Sequence, residues 1–345
     1  MKKILTAVLA MLMLLSITAC GQTAAPAATE APATEAPAAE ASAEVTAEPA
    51  ETESKVFHVG VCQLVQHSAL DAATQGFVDA LKEELGDSVV IDVQNASGDI
   101  ANCSTIVNTF VSSDVDLIMA NATPALTAAA SATSEIPILG TAVTAYGVAL
   151  DIDDFDGTVG GNISGTSDLA DLKQQAEMIK TWFPEAKNVG LLFCSAEANS
   201  RYQVDEVAKV LTEMGLTCSE FAFTDSNDVA SVTEKAAASS DVIYIPTDHT
   251  AASNVESIGN ILSAAKVPAV AGEEGICAGC GVCTLSNSYY DLGVTTGKMA
   301  AKILKGEADI STMPIEYAPA TPKFNPTMCE LLGLTPVEGY TAIEG

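Results

Sequence analysis

Cys277-Ala-Gly-Cys280-Gly-Val-Cys283 places three cysteines two residues apart. Thiolates at this spacing can ligate zinc, hold an iron–sulfur cluster or pair as a disulfide. A structural zinc site takes four ligands, and only three are local; His249 or Cys62 would have to supply the fourth, with nothing in the sequence to place it there. A ferredoxin-type run would reach its fourth cysteine at residue 287, which is Asn, and the next proline is Pro314. The other cysteines of the chain's body, Cys62, Cys103, Cys194, Cys218 and Cys329, stand singly. The segment therefore weighs most as incidental thiols, next as a disulfide, and least as a metal site.

No other catalytic pattern presents itself. The sequence has no P-loop, no GxGxxG after a strand, no HExxH and no GxSxG. Its three histidines, His58, His67 and His249, are scattered, and no pair of acids is singled out by spacing. The expectation is a protein with no catalytic residue, no metal and no cofactor.

The N-terminus bears on where such a protein works. Lys2 and Lys3 precede an apolar run, Ile4 to Leu15, that is short for a membrane-spanning helix. Small residues then lead into Cys20, as in a bacterial lipobox. Residues 1–19 read as a signal peptide, and Cys20 as the lipidated first residue of an exported protein held on the outer face of the cell membrane. Residues 20–55, rich in Ala, Pro, Thr and Glu without an aromatic residue, read as a disordered spacer.

About 290 residues remain, enough for one large or two medium domains. The 345-residue chain carries 45 acidic and 15 basic residues, a net charge of −30. That surface opposes contact with nucleic acid or anionic lipid, so membrane attachment rests on the lipid alone. A monomer is expected.

The elements alternate. Strands are expected at 56–64, 89–96, 115–121, 136–143, 188–195, 217–223, 241–247 and 267–273, several of them continuous apolar runs typical of strands buried on both faces. Helices are expected at 69–85, 100–113, 125–134, 168–183, 199–214, 229–239, 251–264 and 290–305. Four strand–helix units precede about residue 165 and four follow it. The fold class is α/β: two similar doubly wound lobes with parallel sheets joined by a hinge. Lobe 1 is assigned 56–164 and 286–311, and lobe 2 is assigned 165–285 and 312–345.

Ligands of open α/β sheets bind beyond the carboxyl ends of the strands. Those ends carry hydroxyl, amide and carboxylate groups, each just before a helix whose first N–H groups favour an anion. The same residue types are also good helix caps, so each has two readings.

Several segments bear a family resemblance: QLVQHSALDAATQGFVDAL, DLIMANATPAL, GNISGTSDL, AEANSRYQVDEV, DVIYIPTDHTAAS, VPAVAGEEG and YYDLGVTTGKMAAKILKGEADISTMPIE. Along nearly the whole folded part the chain resembles the ABC-transporter substrate-binding proteins of the tryptophan/tyrosine type. The resemblance implies a type I periplasmic-binding-protein fold with three interlobe crossovers. It implies closure on a small ligand, an aromatic or other apolar amino acid first of all, and delivery to a permease with an ATPase partner. A sugar, nucleoside or peptide ligand, or a sensor role, stays open. By position, Gln63, His67, Thr123 and Thr141 fall on the first-lobe rim. Ser195, Glu197, Asn199, Ser200, Asp248 and Glu274 fall on the second, and Asn287 in the returning crossover. Within that set Asp248 is expected to meet an ammonium, Ser195, Asn199 and Ser200 a carboxylate, and Leu64, Val65 and Tyr146 an apolar side chain. Arg201, the sole arginine, weighs more as a solvated helix residue than as a carboxylate partner. ICAGCGVC and AVTAYGV depart from the family's pattern near the expected cleft mouth.

Overall fold

The computed structural model describes residues 55–344. The signal, Cys20 and spacer readings fall almost wholly outside the described residues.

The first lobe runs β1 (Phe57–Gln63), α1 (Ser68–Leu85), β2 (Val89–Asn95), α2 (Ile100–Ser112), β3 (Leu117–Asn121), α3 (Thr123–Ala132), β4 (Ile138–Val143), α4 (Tyr146–Ala149) and β5 (Ile163–Ser167). The second runs α5 (Leu172–Trp182), β6 (Asn188–Cys194), α6 (Ala198–Glu213), β7 (Thr217–Phe223), α7 (Val229–Ser239), β8 (Val242–Ile245), α8 (His249–Ser253), α9 (Val255–Ala265), β9 (Ala269–Ala271), α10 (Glu274–Cys280) and β10 (Cys283–Ser286). The chain then alternates between lobes through α11 (Tyr289–Leu304), β11 (Glu316–Tyr317), β12 (Thr321–Phe324), α12 (Pro326–Leu332) and β13 (Thr341–Ala342).

The first sheet has the order β11-β5-β4-β3-β1-β2, parallel throughout. The second has the order β13-β12-β10-β9-β8-β6-β7, parallel except where β12 meets β10. Central strands β3, β4 and β8 are buried at every residue, which is why they read as unbroken apolar runs. Edge strands β2 and β7 expose most of theirs and carry the charged and amide residues.

Three segments cross between lobes, after Ser167, after Ser286 and after Tyr317. The first and third lie later than the expected 164 and 311, because β5 extends to Ser167 and β11 pairs with it. β5 escapes the search for apolar runs because it buries polar residues with their bonds made. Ser164 Oγ donates to Met313 O at 3.1 Å, and Ser167 Oγ donates to Thr144 O at 2.9 Å. Thr166 Oγ1 lies 3.1 Å from Thr141 Oγ1 and 2.9 Å from Thr296 Oγ1. The helix expected over 251–264 divides at Asn254, whose side chain donates to Thr250 O at 2.8 Å.

α11 belongs to lobe 1 by packing. It lies against α1 where Gly76 and Gly293 face each other's helix backbone, and a Cβ on either would collide with a carbonyl oxygen, Tyr290 O or Ala73 O. α1 turns Leu70, Ala73, Phe77, Ala80 and Leu81 inward, the 3–4 spacing of a one-faced helix.

Candidate functional site

The carboxyl ends of the two sheets face each other. Three first-lobe rim residues, Ser97, Ala122 and Ala142, have φ of 57°, 95° and 51° without being glycine. Left-handed backbone of this kind has a cost and concentrates at binding sites. A cavity of about 130 Å³ spans the lobes, with Leu64, Val65 and Pro124 on one side and Ala196, Glu197 and Thr250 on the other. A more apolar cleft of about 290 Å³ adjoins it, lined by Ile100, Thr123, Pro124, Ala196 and Ala198.

The lobes touch through two histidines. His67 precedes α1 and His249 begins α8, and His67 Nε2 lies 3.3 Å from His249 Nδ1 with the rings stacked at 5.5 Å. Burial, reinforced by His249, pushes the His67 imidazole down to about 3; burial also lowers His249, against the opposing pull of Asp168 and Asp248.

Asp168 lies in the first crossover, 3 % exposed. Tyr289, at the end of the second crossover, donates its hydroxyl to Asp168 Oδ2 at 2.7 Å. Burial raises the Asp168 carboxyl, while His249, the Tyr289 bond and the nearby Thr144 hydroxyl lower it. Asp168 Oδ1 has no protein partner, nor do His67 Nδ1, His249 Nε2, Thr123 Oγ1, Thr144 Oγ1 and Ser200 Oγ, all shut from solvent. Buried polar groups are nearly always bonded in native proteins, so a collection of orphans at two facing rims points to a ligand.

The acids expected on the second rim are otherwise engaged. Asp248 accepts from Cys194 N at 2.6 Å and from Ala251 N at 2.7 Å. Both oxygens are thus committed inside the second lobe, capping α8 and holding the end of β6. Burial, with Glu197 beside it, pushes its carboxyl up to about 7. Glu197 accepts from His249 N at 3.1 Å, Thr250 N at 2.8 Å and Thr250 Oγ1 at 2.7 Å. Glu274 pairs with Lys323 at 2.6 Å, and the buried carboxylate of that turn is its neighbour Glu273, the cap of α10.

The remaining expected residues divide between frame and rim. Gln63 holds Val65 O, Asp71 and Thr74 within lobe 1. Thr141 bonds Thr166, and Asn287 Nδ2 donates to Ala318 O at 2.7 Å, tying two crossovers together. Ser195 is exposed and donates to Phe223 O at 3.1 Å. Asn199 Nδ2 donates to Thr247 O at 2.9 Å, leaving its Oδ1 unpartnered. Tyr146 packs into the lobe 1 core with its hydroxyl on Thr166 O at 3.1 Å, whereas Leu64 and Val65 do line the cavity. Arg201 pairs on the surface with Glu220 at 2.8 Å.

Cys277 and Cys280 lie on α10 and Cys283 on β10, all fully buried. Every described cysteine is a free thiol, and among the described residues no group of three His, Cys, Asp or Glu side chains is placed to hold a metal. Burial raises all three thiols. They fill core beneath the Glu273 turn.

Comparison with known proteins places this architecture. Residues 58–338 match the model of the family described as ABC transporter substrate binding protein. The chain belongs to that family. A tyrosine-binding protein of Clostridioides difficile (strain R20291) is 34% identical over 272 residues, 78% of each chain. A Streptococcus pneumoniae ABC domain solved with L-Trp is 32% identical, covers 84% of this chain and 100% of its own, and has a TM-score of 0.79. A ligand-free, open substrate-binding protein with adhesive properties from Clostridium difficile is 34% identical over 84% of this chain and 99% of its own, with a TM-score of only 0.63. The family is one of solute-binding proteins with an α/β fold of two mostly parallel sheets. No helix among the described residues is long and apolar enough to cross a membrane.

Proposed function

We propose that this chain captures an aromatic α-amino acid between its lobes. It then presents that ligand to an ABC permease with its ATPase, while tethered through lipidated Cys20 to the outer face of the cell membrane. The observation that carries the ligand class is Asp168: a buried carboxylate at the hinge, oriented by Tyr289, with one oxygen uncommitted. An α-ammonium supplies the donors and the charge such an oxygen needs. Asp168 takes this role in place of Asp248, whose oxygens already serve the backbone. The ligand carboxylate is met by Thr123 Oγ1 at the N-terminus of α3, in line with the helix-end preference for anions. The apolar cleft by Ile100, Pro124 and Ala198 takes the ring. The tyrosine-binding relative and the L-Trp complex support the aromatic choice.

Titration calorimetry against L-tryptophan, L-tyrosine and L-phenylalanine tests the reading, with Asp168→Asn as the control. Binding of at least one, weakened in the variant, is expected. Binding of a sugar or nucleoside with no response to the three amino acids would defeat the ligand class. Membrane fractionation of Cys20→Ala tests the anchor, since release of the variant is expected.

A further inference from the structure

His249 is drawn into the site by geometry. It is 1 % exposed, its Nδ1 meets His67 across the lobe boundary, and its Nε2 is unpartnered. Asp168, whose Oδ1 is also unpartnered, acts on it electrostatically without a hydrogen bond between them. Two buried groups that attract but do not bond can share a third group between them, and a ligand ammonium is the group the preceding reading supplies.

Resting on that reading, we propose that His249 is a direct ligand contact, that His67 positions it, and that a proton on this imidazole pair competes with the ligand's ammonium for Asp168. The tautomers follow from the hydrogen bonds. To accept from an ammonium, His249 Nε2 must be bare, so its proton sits on Nδ1 and is donated to His67 Nε2. His67 then carries its own proton on Nδ1, a buried donor with no protein partner. Both rings are neutral in this arrangement. A proton on either ring places a second cation beside the ammonium, and in the ligand-free site that imidazolium can itself neutralise Asp168.

The direction of the pH effect follows from the shifts. With the lobes in contact, burial holds the pair neutral and His67 at about 3, whereas a solvated imidazole titrates near about 6.5. Closure therefore has its full advantage above about 6.5 and loses it as the pH falls from there. The other charged groups acting on the pair are Asp168 and Asp248, with Glu197 on the His249 backbone N–H and the Tyr289 hydroxyl on Asp168. Asp248 and Glu197 accept their hydrogen bonds from the backbone of lobe 2.

The test is calorimetry of L-tryptophan and L-tyrosine with the whole protein from pH 5 to 8, in buffers of different ionisation enthalpy. Affinity should be flat above about pH 7 and fall roughly tenfold per unit below about 6.5, with a proton taken up on ligand release. His249→Asn and His67→Gln, which keep polar atoms but do not titrate, should flatten the profile; His58→Asn, on the exposed start of β1, should not. A flat wild-type profile, or an unchanged slope in both variants, overturns the inference. Should His249→Asn lose binding, histidine 15N NMR decides: the pair should stay neutral to pH 5 with ligand and titrate near about 6.5 without it. Titration near 6.5 in both states overturns it. Failure of every aromatic amino acid to bind even at pH 8 is a separate result, which removes the ligand reading itself.

Discussion

The Tyr289 hydroxyl donates to Asp168 Oδ2 at 2.7 Å, and the two residues come from different crossovers. The bond joins two hinge segments and fixes the carboxylate so that Oδ1 alone is free. Asp168→Asn should therefore weaken aromatic amino-acid binding by at least tenfold, since losing a buried charge partner costs about 2–5 kcal/mol. Tyr289→Phe keeps the charge and loses one bond, and should cost about 1 kcal/mol. Calorimetry on both variants checks the order. Equal affinity in wild type and Asp168→Asn would remove Asp168 from the site.

Asp248 is expected to behave as a structural acid. Asp248→Ala strips acceptors from Cys194 N and Ala251 N, and each buried orphan costs about 1–3 kcal/mol. Thermal unfolding without ligand should show a clear loss of stability, with affinity of the folded fraction changed far less. An unchanged melting temperature with lost binding would return Asp248 to the ligand.

These two carboxylates show what was and was not legible in the sequence. Runs such as LIMAN and VIYI announce buried parallel strands, and the alternation with helices announces two doubly wound lobes, because burial on both faces leaves a continuous apolar signal. Asp248 and Asp168 both follow strands, but nothing local tells a cap from a ligand group. The cap is recognisable only when Ala251 N and Cys194 N are seen on its two oxygens. Asp168 lies in a crossover, where a search of the strand–helix turns within each lobe does not look. Tyr289 and His249 acquire meaning only from partners 121 and 182 residues away.

Glu273 offers a stability test against pH. Burial pushes its carboxyl up to about 7, above the ordinary Glu range. The folded form therefore holds a proton that the unfolded chain has released. This contribution is full below about 4.3 and is lost as pH rises through 7, at up to about 1.4 kcal/mol per unit. Glu273→Gln should flatten the fall in stability between pH 5 and 7, read as the difference in denaturation midpoints between wild type and variant. Parallel wild-type and variant curves would contradict the shift.

The α1–α11 contact is a steric test of lobe 1. Gly293→Ala would drive a methyl group into Ala73 O between two helix backbones, where neither side can give. Overpacking of this kind costs about 1–3 kcal/mol. The urea midpoint should fall, with ligand stoichiometry unchanged. A neutral substitution would mean that the helices separate without penalty.

The CAGCGVC thiols should be silent in the native protein. Cys277, Cys280 and Cys283 are fully buried, and burial raises each of them, so each lacks both access and thiolate. Cys218, on edge strand β7, is the described cysteine that is only partly buried. Iodoacetamide followed by peptide mass mapping should label Cys218 first and reach the three clustered thiols only after denaturant. Replacing all three by Ser places hydroxyls in an apolar core at about 1–3 kcal/mol each where no partner is found. That variant should lose stability, while bound metal, measured by elemental analysis, stays at the wild-type level. Early labelling of Cys277, or stoichiometric zinc lost in the variant, would restore a chemical role to the segment.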